Sequence, residues 1–222
     1  MNDNKAAYNS TIYDDKVIHV LPYYREYHGQ IIDLVKNMKL KEPDWLDTGC
    51  GTGTLARRVL EDRSDVKFTL CDPSEKMLEK AKEKLAGVDA RFFNLSSQQL
   101  MFASEFDIVT AVQSHHYLQR EERKDAVSKC YHALRENGVF VTFENIRMSA
   151  DESDAIALSR WTQFLKDHGS DEEEIEMQIA RRGTEVFPIT IEEHIKLLRE
   201  CGFRSVDILW TSYLQAGFWA LK

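Results

Sequence analysis

No apolar stretch in these 222 residues approaches the roughly 18 to 20 that a membrane-spanning helix requires, so a bilayer-spanning chain is not expected. Cysteine is scarce. Cys50, Cys71, Cys130 and Cys201 are scattered without a C-x-x-C pair, which argues against a disulfide framework or a zinc knuckle and predicts reduced thiols and no metal site. Long basic runs are missing too, the only paired arginines being Arg57-Arg58 and Arg181-Arg182. With 37 acidic against 29 basic side chains and a net charge of −8, the chain lacks the basic excess that phosphate neutralisation needs. A small molecule is therefore a better expected partner than nucleic acid. Met1-Asn2-Asp3-Asn4-Lys5 is polar and lacks the apolar core of a secretory signal, so a cytoplasmic location is expected.

What is present suits one soluble globular domain: 43% hydrophobic and 30% charged residues in a chain too short for two ordinary domains and a linker. Apolar periodicity alternates between two kinds along the sequence. Strand-like runs occur at Trp45-Leu46, Val66 to Cys71, Ala90 to Phe93, Phe106 to Val112 and Val139 to Phe143. Helical patterns fall between them, at Ser74 to Leu85 with Ser74 as N-cap and at Glu121 to Leu134. Strands alternating with helices predict an α/β fold, a doubly wound and mostly parallel sheet covered on both faces. A helix at Ile191 to Cys201, stopped by Gly202, precedes strand-like runs at Ser205 to Trp210 and Tyr213 to Leu221, which predict a terminal antiparallel hairpin. The segment from Arg147 to Pro188 reads as a charged helical insertion over one edge, and residues 1–40 as a helical lid.

The most informative segment is Asp47-Thr48-Gly49-Cys50-Gly51-Thr52-Gly53, where a buried strand enters a turn with three alternate glycines and then a helix. Such a turn lets backbone approach a ligand where a β-carbon would block it. Asp47 ends its strand; Asp72 ends the next, about 20 residues beyond the glycines, where an acid can accept both ribose hydroxyls. Asn94 ends the third. These three tips are expected to meet at an adenosine site. A dinucleotide fingerprint would place its third glycine at position 54, which is Thr54 here, and Asp47 would repel a pyrophosphate but accept the ammonium of an amino acid. Adenine, ribose and an amino-acid tail together describe S-adenosylmethionine.

On these residues the sequence resembles the seven-strand, Rossmann-like S-adenosylmethionine-dependent methyltransferases over most of its length. Asp47 to Gly53 resembles the family's first motif, Asp72 its ribose-binding acid, and Asn94-Leu95 its adenine-contacting position, usually Asp where Asn stands here. Phe106-Asp107-Ile108-Val109 with Ser114-His115-His116-Tyr117-Leu118 is similar to the fourth strand and its exit loop. Leu134 to Gly138 is similar to the turn into the fifth strand, and Leu198 to Phe203 with the aromatic hairpin to the carboxyl-terminal signature. A nearer resemblance, through Leu21-Pro22-Tyr23-Tyr24 and the aromatic final strand, is to small-molecule methyltransferases and carboxy-S-adenosylmethionine synthases. It implies a cofactor contact from Tyr24. The arginine that holds the extra carboxylate in those synthases has no aligned counterpart, Arg181 and Arg182 requiring a gap, and Gly51-Thr52 replaces their serine-leucine.

The expected cofactor-binding set is therefore Tyr24, Asp47, Gly49, Cys50, Gly51, Asp72, Met77, Asn94, Leu95 and Val112, with S-adenosyl-L-methionine as cofactor. His115 and His116 are the candidate general bases because the imidazole pKa lies near neutrality. Glu144 is a candidate acceptor or cation contact, and Tyr8, Tyr13, Tyr23, Tyr24 and Tyr27 are candidates for an aromatic lid. The expected activity is methyl transfer to a small molecule by in-line displacement, by a monomer or homodimer. A carboxy-S-adenosylmethionine synthase, a nucleotide-dependent oxidoreductase and a non-catalytic adenosine-binding module are the alternatives.

Overall fold

The computed structural model describes residues 6–222; the amino-terminal pentapeptide and the expectation attached to it lie outside them. The strands are β1 Asp44–Thr48, β2 Lys67–Cys71, β3 Ala90–Phe93, β4 Phe106–Val112, β5 Leu134–Asn145, β6 Ser205–Ser212 and β7 Gln215–Leu221. The helices are α1 Tyr13–Val20, α2 Tyr24–Asn37, α3 Thr54–Asp62, α4 Glu75–Lys84, α5 Arg120–Ala133, α6 Asp151–Asp167, α7 Glu172–Ala180 and α8 Ile191–Glu200. One seven-stranded sheet has the order β3-β2-β1-β4-β5-β7-β6. β1 to β5 pair in parallel, and β7 runs antiparallel to β5 and β6. This is the doubly wound α/β architecture with a terminal hairpin that the periodicity predicts.

Strand residues alternate between two cores. Trp45, Ile108, Val139 and Val141 pack with Tyr27, Ile31, Leu55 and Val59 from α2 and α3. Leu46, Val109 and Phe140 pack with Val127, Cys130 and Leu198 from α5 and α8. Fully burying each such large apolar side chain contributes about 1.5–3 kcal/mol, so a one-residue slip in any central strand would exchange the two cores at high cost. Ser74 caps α4 as expected, its hydroxyl accepting from the Met77 N–H at 3.1 Å.

The chain leaves β1 toward β2 and β3, then returns to β4 on β1's other side. That reversal opens a crevice at the carboxyl ends of β1 and β4, the place where open parallel sheets bind ligands. Two of the boundaries that differ from the sequence reading have a clear physical cause. β5 begins at Leu134 rather than Val139, because buried Leu134 pairs with Phe106 across a register irregularity. The hairpin turns at Tyr213-Leu214 and β7 starts at Gln215, since Leu214 leaves the ladder to join a third apolar cluster. That cluster holds Val20 of α1, Trp161 and Leu165 of α6, and Ile175 of α7, and the Trp161 indole donates to the Val20 carbonyl at 3.1 Å. The segment expected to be an insertion is thus seated against the amino-terminal helices.

Candidate active site

The glycine turn is fixed by backbone bonds to β2. Gly49 and Cys50 both donate to the Cys71 carbonyl, at 2.7 and 3.0 Å. Gly51 donates to Asp72 Oδ2 at 2.9 Å, while Ser74 donates to Asp72 Oδ1 at 2.8 Å. Asp72 therefore holds the turn on one side and starts α4 on the other. Gly49 has φ +69°, and a β-carbon there would lie 2.4 Å from Ser114 Cβ, so this glycine lets the β4 exit loop close onto the turn.

Asp47 is positioned by a chain of donors. The Trp45 indole donates to Thr110 Oγ1 at 2.9 Å, and the Thr110 hydroxyl donates to Asp47 Oδ1 at 2.7 Å. Burial pushes the Asp47 carboxyl up to about 7, the Thr110 bond opposing it and the Asp72 charge adding to it. No lysine or arginine among the described residues pairs with Asp47 in an ion pair. A buried carboxyl of this kind is either protonated or, when ionised, met by a cation.

A cavity of about 590 Å³ opens beside these groups. Gly49, Gly51, Asp72, Met77, Val112 and His115 line it, with Ser96 to Gln99, Gln113, Ser114 and Tyr117 completing the wall and Tyr13 of α1 closing it. A narrower polar recess shares Tyr13, Gly49, Gly51, Val112 and Gln113 with the cavity and adds Tyr24, His28, Asp47 and Cys50. The structure thus gathers eight of the ten expected cofactor-binding residues around one continuous hollow. Asn94 and Leu95 are not among its walls. The Asn94 carboxamide donates instead to the carbonyls of Asp72 and Pro73, both at 3.0 Å, and braces the turn from behind. A 3-10 turn at Ser97–Gln99, which no periodicity announced, takes that side of the hollow.

Residues 46–138 match a family model described as a methyltransferase domain. The carboxy-S-adenosyl-L-methionine synthase of Nautilia profundicola is 24% identical over 96% of this chain and 92% of its own. That of Desulfotalea psychrophila is 28% identical over 95% of this chain and 88% of its own. An S-adenosylmethionine-dependent methyltransferase structure from Thermotoga maritima superposes with a TM-score of 0.60 at 16% identity, covering 96% of this chain and 95% of that one. The chain is thus similar in sequence to carboxy-S-adenosyl-L-methionine synthases along most of its length, carries a methyltransferase-domain match over its central strands, and shares the fold of an S-adenosylmethionine-dependent methyltransferase. S-adenosylmethionine is the group that the names of these relatives carry. The site suits that group on its own terms: Asp47 lacks a cation, Asp72 faces the cavity, and the glycine turn admits a ligand against backbone.

The two histidines occupy different positions in this site. His115 reaches the cavity wall, with Nε2 2.9 Å from Ser97 Oγ, and burial holds its pKa down at about 4. His116 does not line the cavity. It lies behind the loop against Glu144, with Nδ1 3.1 Å from Oε2. Glu144 is itself buried; it accepts the His115 N–H at 3.3 Å, the His116 N–H at 2.8 Å and the Thr142 hydroxyl at 2.6 Å. Burial pushes its carboxyl up, but the His116 side-chain bond and the neighbouring His116, His115 and His194 rings outweigh it and hold the carboxyl at about 2. Glu144 is therefore an ionised anchor for the β4 exit loop, and His116 is a neutral imidazole donating to it. Arg123 of α5 closes the same loop, giving Nε to the His115 carbonyl and Nη2 to the Leu118 carbonyl, each at 3.0 Å.

The tyrosine cluster divides. Tyr13 and Tyr24 line the hollow. Tyr27 is core, stacked on Phe143 at 4.9 Å; Tyr8 donates to Glu174 at 2.8 Å; and Tyr23 meets Trp210 edge-on. His28 is a wall residue that the sequence reading passed over, although its place one helical turn after Tyr24 puts both on one face of α2.

Proposed function

We propose that this protein is an S-adenosylmethionine-dependent methyltransferase that alkylates a small-molecule acceptor, with the methionine tail of the cofactor in the recess beside Asp47 and the ribose at Asp72. The observation that carries the reading is the hollow itself: a cleft walled by the glycine turn and two acids, with the rings of Tyr13 and Tyr24 in its walls. Its size and the net charge of −8 favour a small acceptor over a nucleic acid. Bound S-adenosylmethionine supplies a methyl carbon made electrophilic by its sulfonium. The chain's own residues orient and enclose. Asp47 holds the ammonium, Asp72 accepts from ribose hydroxyls, Met77 covers the base, and α1, α2 and the 147–188 helices form a lid that keeps the site dry. His115, neutral through the physiological range, hydrogen-bonds Ser97 in this scheme and removes no proton from the acceptor.

A second reading, carboxy-S-adenosylmethionine synthesis, is favoured by the names of the relatives. Against it, no lysine or arginine is among the residues lining the cavity, where an additional carboxylate would need a cation. Arg182 pairs with Asp154 and Arg181 with Glu185, though the Arg181 guanidinium lies 5.9 Å from the Tyr117 ring. Mass spectrometry of the nucleotide that copurifies with the protein separates the two. S-adenosylmethionine or S-adenosylhomocysteine is expected; the carboxylated nucleotide would establish the second reading. Calorimetry with S-adenosylhomocysteine and with a nicotinamide dinucleotide tests the oxidoreductase alternative, which requires the dinucleotide to bind more tightly. Loss of label from methyl-labelled cofactor in an acceptor pool tests the non-catalytic one.

A further inference from the structure

His28 is buried to 1% exposure, yet neither of its ring nitrogens hydrogen-bonds to the protein among the described residues, and Nδ1 is sealed from solvent without a partner. Folded proteins keep few such groups, and each calls for a cause. The ring is no piece of apolar core: it lines the polar recess with Asp47, Cys50 and Thr52, braced edge-on by the Tyr24 ring at 4.9 Å. Burial, with Arg58 and Lys84 nearby, drives its pKa to about 3, so it is neutral and retains one N–H and one acceptor nitrogen. Lys84 is paired with Asp14 at 2.7 Å and Arg58 gives Nη1 to the Arg25 carbonyl, so the unspent donor on this side of the recess is the His28 ring itself. Asp47, in the wall of the same recess, has no cationic side chain paired with it among the described residues and takes a cation when ionised. A group bearing an ammonium and a carboxylate a few bonds apart satisfies both residues at once, and an amino-acid tail is such a group.

We propose that His28 is a cofactor ligand that donates a ring N–H to the α-carboxylate of S-adenosylmethionine while Asp47 receives the ammonium. The proposal rests on the recess being the tail's site, as read above, and adds a residue that selects for the tail. S-adenosylhomocysteine carries that tail and 5′-methylthioadenosine does not, although both present the same nucleoside and thioether. Calorimetry with both ligands on the wild type, H28F and H28Q therefore isolates the contact. H28F fills the ring's volume without a donor and is expected to weaken S-adenosylhomocysteine roughly ten- to hundredfold, the loss typical of a hydrogen bond to a charged group, while methylthioadenosine changes by less than about twofold. H28Q, which keeps an N–H, is expected to recover most of the loss. Should H28F not fold, His28→Met replaces it as the donor-free variant. Equal weakening of both ligands, or full S-adenosylhomocysteine affinity in a folded donor-free variant, overturns the role of His28 alone. A wild type that binds neither nucleoside overturns the cofactor-site reading and this proposal with it.

Discussion

Asp72→Ala tests the site and the fold together, because this carboxylate has two tasks that separate experimentally. Both oxygens already accept backbone N–H bonds, from Gly51 at 2.9 Å and Ser74 at 2.8 Å. Hydrogen bonds to a charged group are worth about 1.5–3 kcal/mol each, and truncation lets water reach part of the space, so the pair is expected to contribute roughly 3 kcal/mol to stability. For a chain of this length that corresponds to a fall in Tm of about 6–12 °C without any ligand. The second task is the ribose. Losing the acceptor for two hydroxyls is expected to weaken S-adenosylhomocysteine by roughly a hundredfold, about 2.7 kcal/mol.

Thermal melts with and without S-adenosylhomocysteine read both quantities. At a ligand concentration of about 100 times the wild-type Kd, binding stabilises the wild type by about 2.7 kcal/mol. A variant bound a hundredfold more weakly gains only about 0.4 kcal/mol under the same conditions. The wild type should therefore melt several degrees higher with ligand and Asp72→Ala should scarcely move. An unchanged Tm in the ligand-free variant would refute the anchoring of the glycine turn. A lowered Tm with the full ligand-induced shift would leave the anchor standing and refute the ribose contact.

Two further predictions concern the buried acids. Asp47, raised to about 7, is largely protonated in the free protein at pH 6, and an ammonium ligand needs it ionised, so S-adenosylhomocysteine binding should release a proton there and tighten as pH rises toward neutrality. Calorimetry in buffers of different ionisation enthalpy measures that release, which Asp47→Asn should abolish. Glu144, held at about 2, contributes stability that is present above the ordinary carboxylate pKa and lost as pH falls through about 2. Glu144→Gln should cost about 3 kcal/mol near neutrality, and the gap to the wild type should narrow below about pH 4; a gap constant with pH would contradict an ionised Glu144. For His115, held at about 4, turnover at saturating cofactor should show no inflection at an ordinary imidazole pKa of about 6.5; such an inflection, lost in His115→Asn, would restore it as a base.

Much of this architecture is legible from period alone. β3 and β4 fall where alternation of apolar and polar residues ends at punctuating residues, and the Ser74 cap is visible because Asp72-Pro73-Ser74 stops a strand before a 3.6-residue pattern starts. The glycine turn is legible for a different reason: three alternate glycines between a strand and a helix have few uses besides close backbone approach. Period fails where a residue's fate depends on a partner distant in sequence. Leu214 interrupts the hairpin because Trp161 and Val20 wait for it, and neither lies near it in the chain.

The same distinction explains which site residues the sequence conceals. Position at a strand tip places a side chain near the crevice but leaves open whether its polar atoms face outward. Asp72 has acceptors on both oxygens and can serve the turn and a ligand simultaneously, since each carboxylate oxygen takes more than one donor. Asn94 has a single pair of amide hydrogens, and with two backbone carbonyls within 3.0 Å they are committed to the turn. His28 is the reverse case. It stands in a helix with no motif around it, and its marker is a deficit of partners, a property that exists only once the walls of the recess have assembled around it. Residues that bind by excess valence can be read from spacing, whereas residues that bind through an unmet need become visible only in the folded chain.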